Sequence, residues 1–255
     1  MTVKELYKAL DDVINKDLSC DWDNDGLMCS PDTFGEVKRV LLALDVTKDT
    51  VDHAKNVGAD LIITHHPLIF KPVKNVSDDS FGGKKLIELL KNGISVFSFH
   101  TRLDAMNGGV NDALAEKLCL TDIEPFGCDG EMIGRIGNYH QVDTIEHYAS
   151  FVKLELSSDR VNVIDAGRKV KRVAVCGGDG KDFLRAAFEA GADTYVTGGM
   201  SYNSMLDAYD MGINVVEAGH YHTEVPVLDK LAAMLNETCP GIEISFFDSY
   251  PIKVF

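Results

Sequence analysis

Six cysteines stand in 255 residues (Cys20, Cys29, Cys119, Cys128, Cys176 and Cys239), and they form neither a CxxC pair nor a recognisable disulfide spacing. That pattern argues against a disulfide-built secreted scaffold; the cysteines are expected to be small buried hydrophobes of a protein in a reducing cytoplasm. No apolar run is long enough to cross a bilayer. The first residues, MTVKELYKALDDVINKDL, lack the apolar core of a signal peptide and are expected to form an amphipathic helix capped by Thr2 and Glu5. Neither GxGxxG nor GxxxxGK[ST] occurs, so Gly177-Gly178-Asp179-Gly180 is expected as a tight strand-to-helix turn rather than a phosphate cradle. Basic side chains are outnumbered, 25 against 40 acidic, and the net charge of −15 is spread without long single-sign runs. This balance disfavours binding to nucleic-acid backbones or anionic lipid, and any anionic ligand must meet a locally positive site.

What is present is a hydrophobic fraction of 45%, enough for one large core or two ordinary ones. Strand-like apolar runs alternate with helix-period segments: VLLAL (40–44), a helix over 48–57, LIIT (61–64), a helix near 84–91 and ISVFSF (94–99). That alternation predicts an α/β fold. The chain also repeats itself. Residues 37–64 align without gaps with 170–197 at an offset of 133, identical at 11 of 28 positions, and Gly58 and Gly191 fall where a helix end favours positive φ. The likeness resumes at Gly93-Ile-Ser-Val96 and Gly212-Ile-Asn-Val215, and each copy then reaches a His followed four residues later by an acid: His100 and Asp104, His220 and Glu224. The copies differ where the first has Thr64-His65-His66 and the second Thr197-Gly198-Gly199. The scaffold therefore does not require imidazoles there, which points to a use for His65 and His66.

A His and an acid four apart on a helical turn lie about 5–6 Å apart at Cβ, close enough to serve one metal or two metals about 3.5–4 Å apart. Imidazole with carboxylate suits Zn, Mn, Fe, Co or Ni, and the absence of cysteine from these motifs argues against a closed structural zinc site. His65, His66, Asp104, His220 and Glu224 would bring two negative charges to two divalent ions. The excess positive charge favours a bridging hydroxide and a small anionic substrate, and bound water can fall in pKa from 15.7 to about 7. His100 reads equally as a ligand or as a group that orients one, and His222 as an orienting group or an exposed turn residue. Asp45 and Asn24 are further candidates for orienting contacts. Arg102, between His100 and Asp104, is a candidate anion contact or an exposed salt-bridge partner. His53, His140 and His147 are expected to be solvated or core residues.

Together, Trp22-Asp23-Asn24-Asp25-Gly26-Leu27, THHPLIF (64–70), HTRLDA (100–105), Gly134-Arg135-Ile136-Gly137, VAVCGGDG (173–180), VTGG (196–199) and AGHYHTE (218–224) resemble the GTP cyclohydrolase 1 type 2 homologue family, also known as domain of unknown function thirty-four. The likeness spans nearly the whole chain. It implies two interlocked α/β domains with mixed sheets flanked by helices, expected at 1–126 with 222–255 and at 127–221. It also implies a dinuclear centre on the same five residues and a hexameric toroid with its metal sites facing an internal cavity. The activity implied is hydrolysis of a nucleotide, phosphoester or ring C–N bond. The alternative is a non-catalytic metal chaperone, cofactor-assembly protein or regulatory ring. The chain departs from the family's usual WDNVGL, HTNLDA and TGDxxYH at Asp25, Arg102, Gly199 and Asn203.

Overall fold

Thr2 caps the first helix as its sequence predicts: its hydroxyl accepts from the Glu5 amide while the Glu5 carboxylate accepts from the Thr2 amide. The computed structural model describes residues 1–255. In chain order the elements are α1 (Val3–Val13), β1 (Gly26–Cys29), β2 (Arg39–Ala43), α2 (Lys48–Val57), β3 (Leu61–Thr64), α3 (Phe81–Lys91), β4 (Ser95–Ser98), α4 (Thr101–Ala105), α5 (Val110–Lys117), β5 (Thr121–Cys128) and β6 (Glu131–Asp143). They continue with α6 (Ile145–Glu155), β7 (Asn162–Ile164), β8 (Val170–Cys176), α7 (Leu184–Glu189), β9 (Thr194–Thr197), α8 (Tyr202–Met211), β10 (Asn214–Glu217), α9 (His220–Glu224), α10 (Val227–Thr238) and β11 (Glu243–Phe246). The fold is mixed α/β.

Two compact units divide the chain. The first comprises Met1–Leu103 and Leu228–Pro251, the second Asp104–Val227 and Ile252–Phe255. The crossings fall after Leu103 and Val227 rather than at the boundaries expected from sequence, after 126 and after 221. Backbone pairing is the reason: β5 hydrogen-bonds antiparallel to β6, so the segment leading into it belongs with the second unit. Helix α9 also stays there, because Gly178 donates to the Thr223 hydroxyl at 3.1 Å.

The first unit carries a five-stranded sheet in the order β1-β4-β3-β2-β11, parallel except for β1. Leu41, Val51, Ala54, Ile62, Leu89 and Val96 form a core cluster in which α2 and α3 cover the sheet. The second unit carries a six-stranded sheet, β5-β6-β8-β9-β10-β7, parallel over β8, β9 and β10 and antiparallel elsewhere. Burial of one such Leu, Ile or Val contributes about 1.5–3 kcal/mol.

The sequence repeat is realised in the hydrogen-bond register. Val40 faces Leu61 across β2 and β3, and Val173 faces Thr194 across β8 and β9, the same positions displaced by one repeat. Leu61 pairs with Ser95 as Thr194 pairs with Asn214. The repeated Gly-Ala-Asp has a physical cause too. Gly58 ends α2 in the left-handed region, φ 66°, and the next acid braces the start of the preceding strand. Asp60 accepts from the amides of Lys38 (2.8 Å) and Arg39 (2.9 Å), and Asp193 likewise from Lys171 (3.1 Å) and Arg172 (2.8 Å).

The cysteines divide by exposure. Cys176 and Cys239 are buried as expected, Cys20, Cys29 and Cys128 are half-buried, and Cys119 is exposed, contrary to the expectation for it. Cys119 closes the tight turn after α5 in a left-handed conformation, φ 57°, which leaves it at the surface. A thiol reagent at mildly alkaline pH is therefore expected to modify Cys119 at least about a hundredfold faster than Cys176 or Cys239, whose labelling should require denaturant. Peptide mapping of the labelled native protein checks this, and equal labelling of Cys176 would contradict it.

Candidate metal centre

His65 and His66 follow β3, and His100 follows β4, so all three leave the same C-terminal edge of parallel strands in the first unit. That edge is where α/β sheets build ligand sites. Backbone pairing carries the order past the strand ends: the His66 amide donates to Leu44 O at 3.0 Å and the Phe99 amide to Thr64 O at 2.9 Å. The Thr64 hydroxyl donates to His66 O at 2.8 Å and sits 2.9 Å from Ser98 Oγ, fixing the turn that aims the two imidazoles.

Each of the three rings is held through Nδ1. His65, fully buried, bonds the Phe99 carbonyl at 2.9 Å; His66 bonds Asp45 Oδ1 at 2.8 Å; His100 bonds Asp23 Oδ1 at 2.8 Å. A carbonyl or an ionised carboxylate only accepts, so Nδ1 carries a proton in every ring, and the neutral imidazole that this bond selects has its lone pair on Nε2. Such bonds set tautomer and orientation in metal-ligating histidines. The ring centroids lie 5.0, 5.3 and 5.9 Å apart, and a ring nitrogen from each comes within 4.8 Å of the others, a group that could hold a metal ion. Asp23 is itself secured by the Thr101 amide (3.0 Å) and hydroxyl (2.7 Å). Burial alone would raise its pKa, but the hydrogen bonds from His100 and Thr101 outweigh it and hold the carboxyl well below the usual carboxylate range.

In the second unit, α9 presents His220 and Glu224 on one face, His220 Nε2 lying 3.1 Å from Glu224 Oε2. Gly219 enters the helix at φ 92°, a conformation that a side chain would strain. Carboxylate oxygens of Glu224 and Asp104 lie within 4.8 Å of each other, with Glu224 almost entirely buried. Two carboxylates so close in low dielectric repel, and a cation relieves this. The residues present therefore fit divalent metal: imidazoles with fixed lone pairs in one unit, a crowded acid pair with an imidazole in the other. Burial, reinforced by Asp104 and Glu224, pushes the nearby Cys176 thiol far up, so it stays a neutral packing group.

The turn Gly177–Gly180 is the tight strand-to-helix connection the sequence predicts, and it has a further purpose. A Cβ at Gly178, whose φ is +66°, would lie 2.2 Å from Glu224 Oε1, and one at Gly177 3.2 Å from Glu224 Cγ. The glycines are the seat of the Glu224 side chain. Gly198 is equally constrained: its Cβ would meet Thr223 Oγ1 at 2.6 Å and His220 Cα at 2.7 Å. Close approach of α9 thus explains why the second repeat copy carries glycine where the first carries His65. Gly199 has only ordinary contacts, the nearest at 3.7 Å.

Other expected residues divide. Asp45 is hydrogen-bonded to His66, and His100 falls in the imidazole group itself. The Asn24 amide donates to Ile69 O and ties two loops together. His222 is buried on α9, edge-on to Tyr221. His53 stacks on Phe247, His140 contacts the Thr121 hydroxyl and His147 bonds Asp143. Arg102 corrects both expectations for it: it is neither exposed nor available to an anion. Its guanidinium is fully buried, donating to Asp11 Oδ1 at 2.6 Å and Ile14 O at 2.8 Å, with Nε 3.1 Å from Asp25 Oδ2. Sequence reading gave Asp23, Gly178 and Gly198 no part in positioning the donors; the acid-rich quartet at 22–25 was the available signal for the first.

Fold and donors together define an α/β protein with histidine and carboxylate groups that could hold a metal ion. The Duf34/NIF3 (NGG1p interacting factor 3) family matches residues 1–251, and the chain belongs to that family. Among its relatives, a GTP cyclohydrolase 1 type 2 homolog of Clostridium perfringens is 33% identical over 93% of this chain and 92% of its own, and one of Methanocaldococcus jannaschii is 32% identical over 92% and 95%. Among solved structures, reduced HcgD from Methanocaldococcus jannaschii superposes with a TM-score of 0.84 at 31% identity, covering 97% of this chain and 98% of that one. A Bacillus cereus protein related to NIF3 superposes with a TM-score of 0.88 at 26% identity, covering 100% and 99%. No helix is long and apolar enough to cross a membrane.

Proposed function

We propose that His65, His66, Asp104, His220 and Glu224 hold two divalent transition metal ions, with His100 beside them, and that the protein is a metal-dependent hydrolase of a nucleotide, phosphoester or ring C–N bond. The observation that carries this reading is the fixed tautomer of three clustered imidazoles, each backed by its own acceptor, which is the preparation metal ligation requires and packing does not. Ions of this class, when bound, lower the pKa of coordinated water to about 7 and polarise the bond under attack. The chain's own contribution is positional. Asp45 and Asp23 lock His66 and His100, the Phe99 carbonyl locks His65, and the glycine turn at 177–180 seats the Glu224 carboxylate. Five ligands supply two negative charges against four positive, which favours a small anionic substrate. By its resemblance the protein is further proposed to work as a homohexameric ring.

Elemental analysis of protein purified without added metal is expected to give about two ions per chain, falling by half or more in Glu224→Ala. The metal-loaded protein should then turn over a member of a nucleotide and phosphoester panel, and His65→Ala should abolish that turnover. Identical behaviour of His65→Ala and wild type across the panel would end the hydrolase reading. Exchangeable metal delivered to an apo-acceptor without turnover would assign the same donors to metal handling instead.

A further inference from the structure

Three aromatic rings of the first unit meet at one point. Trp22 and Phe70 have centroids 6.2 Å apart, and they stand 6.3 and 6.1 Å from the ring of His100. Their planes are nearly perpendicular in every pair, at 76°, 79° and 88°. Three mutually edge-to-face rings form the inside corner of a box, and a planar ring set into such a corner stacks on one wall while its edge meets the other two. Trp22 is 58% exposed and Phe70 47% exposed, so much of this aromatic surface faces water although it lies at the edge of the imidazole group.

Exposed aromatics are often loosely held, but these are tied down from both sides. The residue after Trp22, Asp23, is bonded to His100 and to both the amide and the hydroxyl of Thr101, while Cys20 N donates to Thr101 Oγ1 at 3.0 Å. The next residue, Asn24, donates to the carbonyl of Ile69, the neighbour of Phe70. The loops bearing the two walls are thus fastened to each other and to the histidine. Holding a Trp and a Phe that stay about half exposed in fixed mutual geometry restricts their side chains, and a ligand that fills the corner supplies the remaining burial.

We infer that Trp22, Phe70 and His100 form a stacking subsite for a planar heteroaromatic ring, and that the substrate class of the metal centre is a ring-bearing compound such as a nucleoside or its phosphate. This rests on the proposed metal site, because His100 belongs to both. It selects among the bonds considered above, favouring substrates with a base over simple phosphoesters.

The experiment uses the chain's single tryptophan, so intrinsic fluorescence reads the subsite directly. Metal content is measured by elemental analysis on the same full-length sample. Titration with adenosine or guanosine is expected to quench Trp22 saturably, and ribose 5-phosphate, which lacks the ring, is not. Phe70→Ala should weaken nucleoside binding about tenfold, in line with the stacking contribution of one aromatic wall, Phe70→Tyr should restore it, and neither should change metal content. Absence of saturable quenching in metal-loaded protein would overturn the subsite while leaving the metal reading standing. Equal quenching by ribose 5-phosphate, or binding unchanged in Phe70→Ala, would overturn it as well. Quenching by nucleosides in a protein that takes up no metal would retain the stacking corner and remove its link to a metal centre. Emission that shifts with protein concentration instead of nucleoside would make the corner a contact between copies and overturn the assignment.

Discussion

Arg102→Asn is expected to destabilise the protein by about 3 kcal/mol, because it leaves the buried Asp25 carboxylate without its guanidinium. Asp25 and Arg102 both have fully buried side chains, and Asp25 keeps only Lys16 and the Ser19 hydroxyl as partners once the arginine is gone. The guanidinium also rests on the Phe99 ring, 4.7 Å from its centroid, so packing is lost along with charge. These two positions are where the chain departs from the usual WDNVGL and HTNLDA of the proteins it resembles, and the structure joins the two departures in one ion pair. The expected consequence is compensation: Asp25→Val with Arg102→Asn should recover at least half of the loss. A double-mutant cycle in urea, followed by the emission of Trp22 in the same loop as Asp25, measures the coupling directly. Additivity within about 0.5 kcal/mol would show that the departures are independent.

Gly178→Ala is expected to cost tenfold to a hundredfold in metal affinity, as large as loss of an orienting partner. The added carbon would lie 2.2 Å from Glu224 Oε1, so the carboxylate has to leave its seat, and the φ of +66° adds strain. That strain is worth about 1–2 kcal/mol of stability, too little to unfold a domain of ordinary stability. Gly199→Ala is the control, since nothing lies nearer than 3.7 Å to its Cβ. Competition with a chelator reads both variants. Equal affinity in Gly178→Ala and wild type would remove Glu224, in its present position, from the ligand set.

Much of this was legible beforehand because duplication leaves marks in sequence. The Gly-Ala-Asp triplet survives in both copies since Gly58 needs positive φ, a local demand, and since Asp60 and Asp193 brace the start of the preceding strand inside the same repeat unit, 21 to 22 positions upstream. The loss of histidines from the second copy pointed to His65 and His66, and structure supplied the steric reason, since Gly198 has no room for a Cβ. What stayed hidden depended on residues far apart in the chain. Nothing near Arg102 announces that Asp25 and Asp11 will surround it, so the side chain read as an anion contact or an exposed salt-bridge partner. Nothing near Asp23 reveals a bond to His100, 77 positions later.

The sequence by itself determined the α/β class, the paired copies and the identity of the metal-ligand candidates, because periodicity, helix-ending glycines and His-x-x-x-acid spacing act over a single turn or strand. Only the tertiary structure decided which nitrogen of each imidazole keeps its proton, which glycines seat a carboxylate, and that Arg102 serves stability instead of substrate. Those outcomes turn on distances of 2 to 4 Å between segments separated by tens of residues, and such distances exist only once the strands have paired.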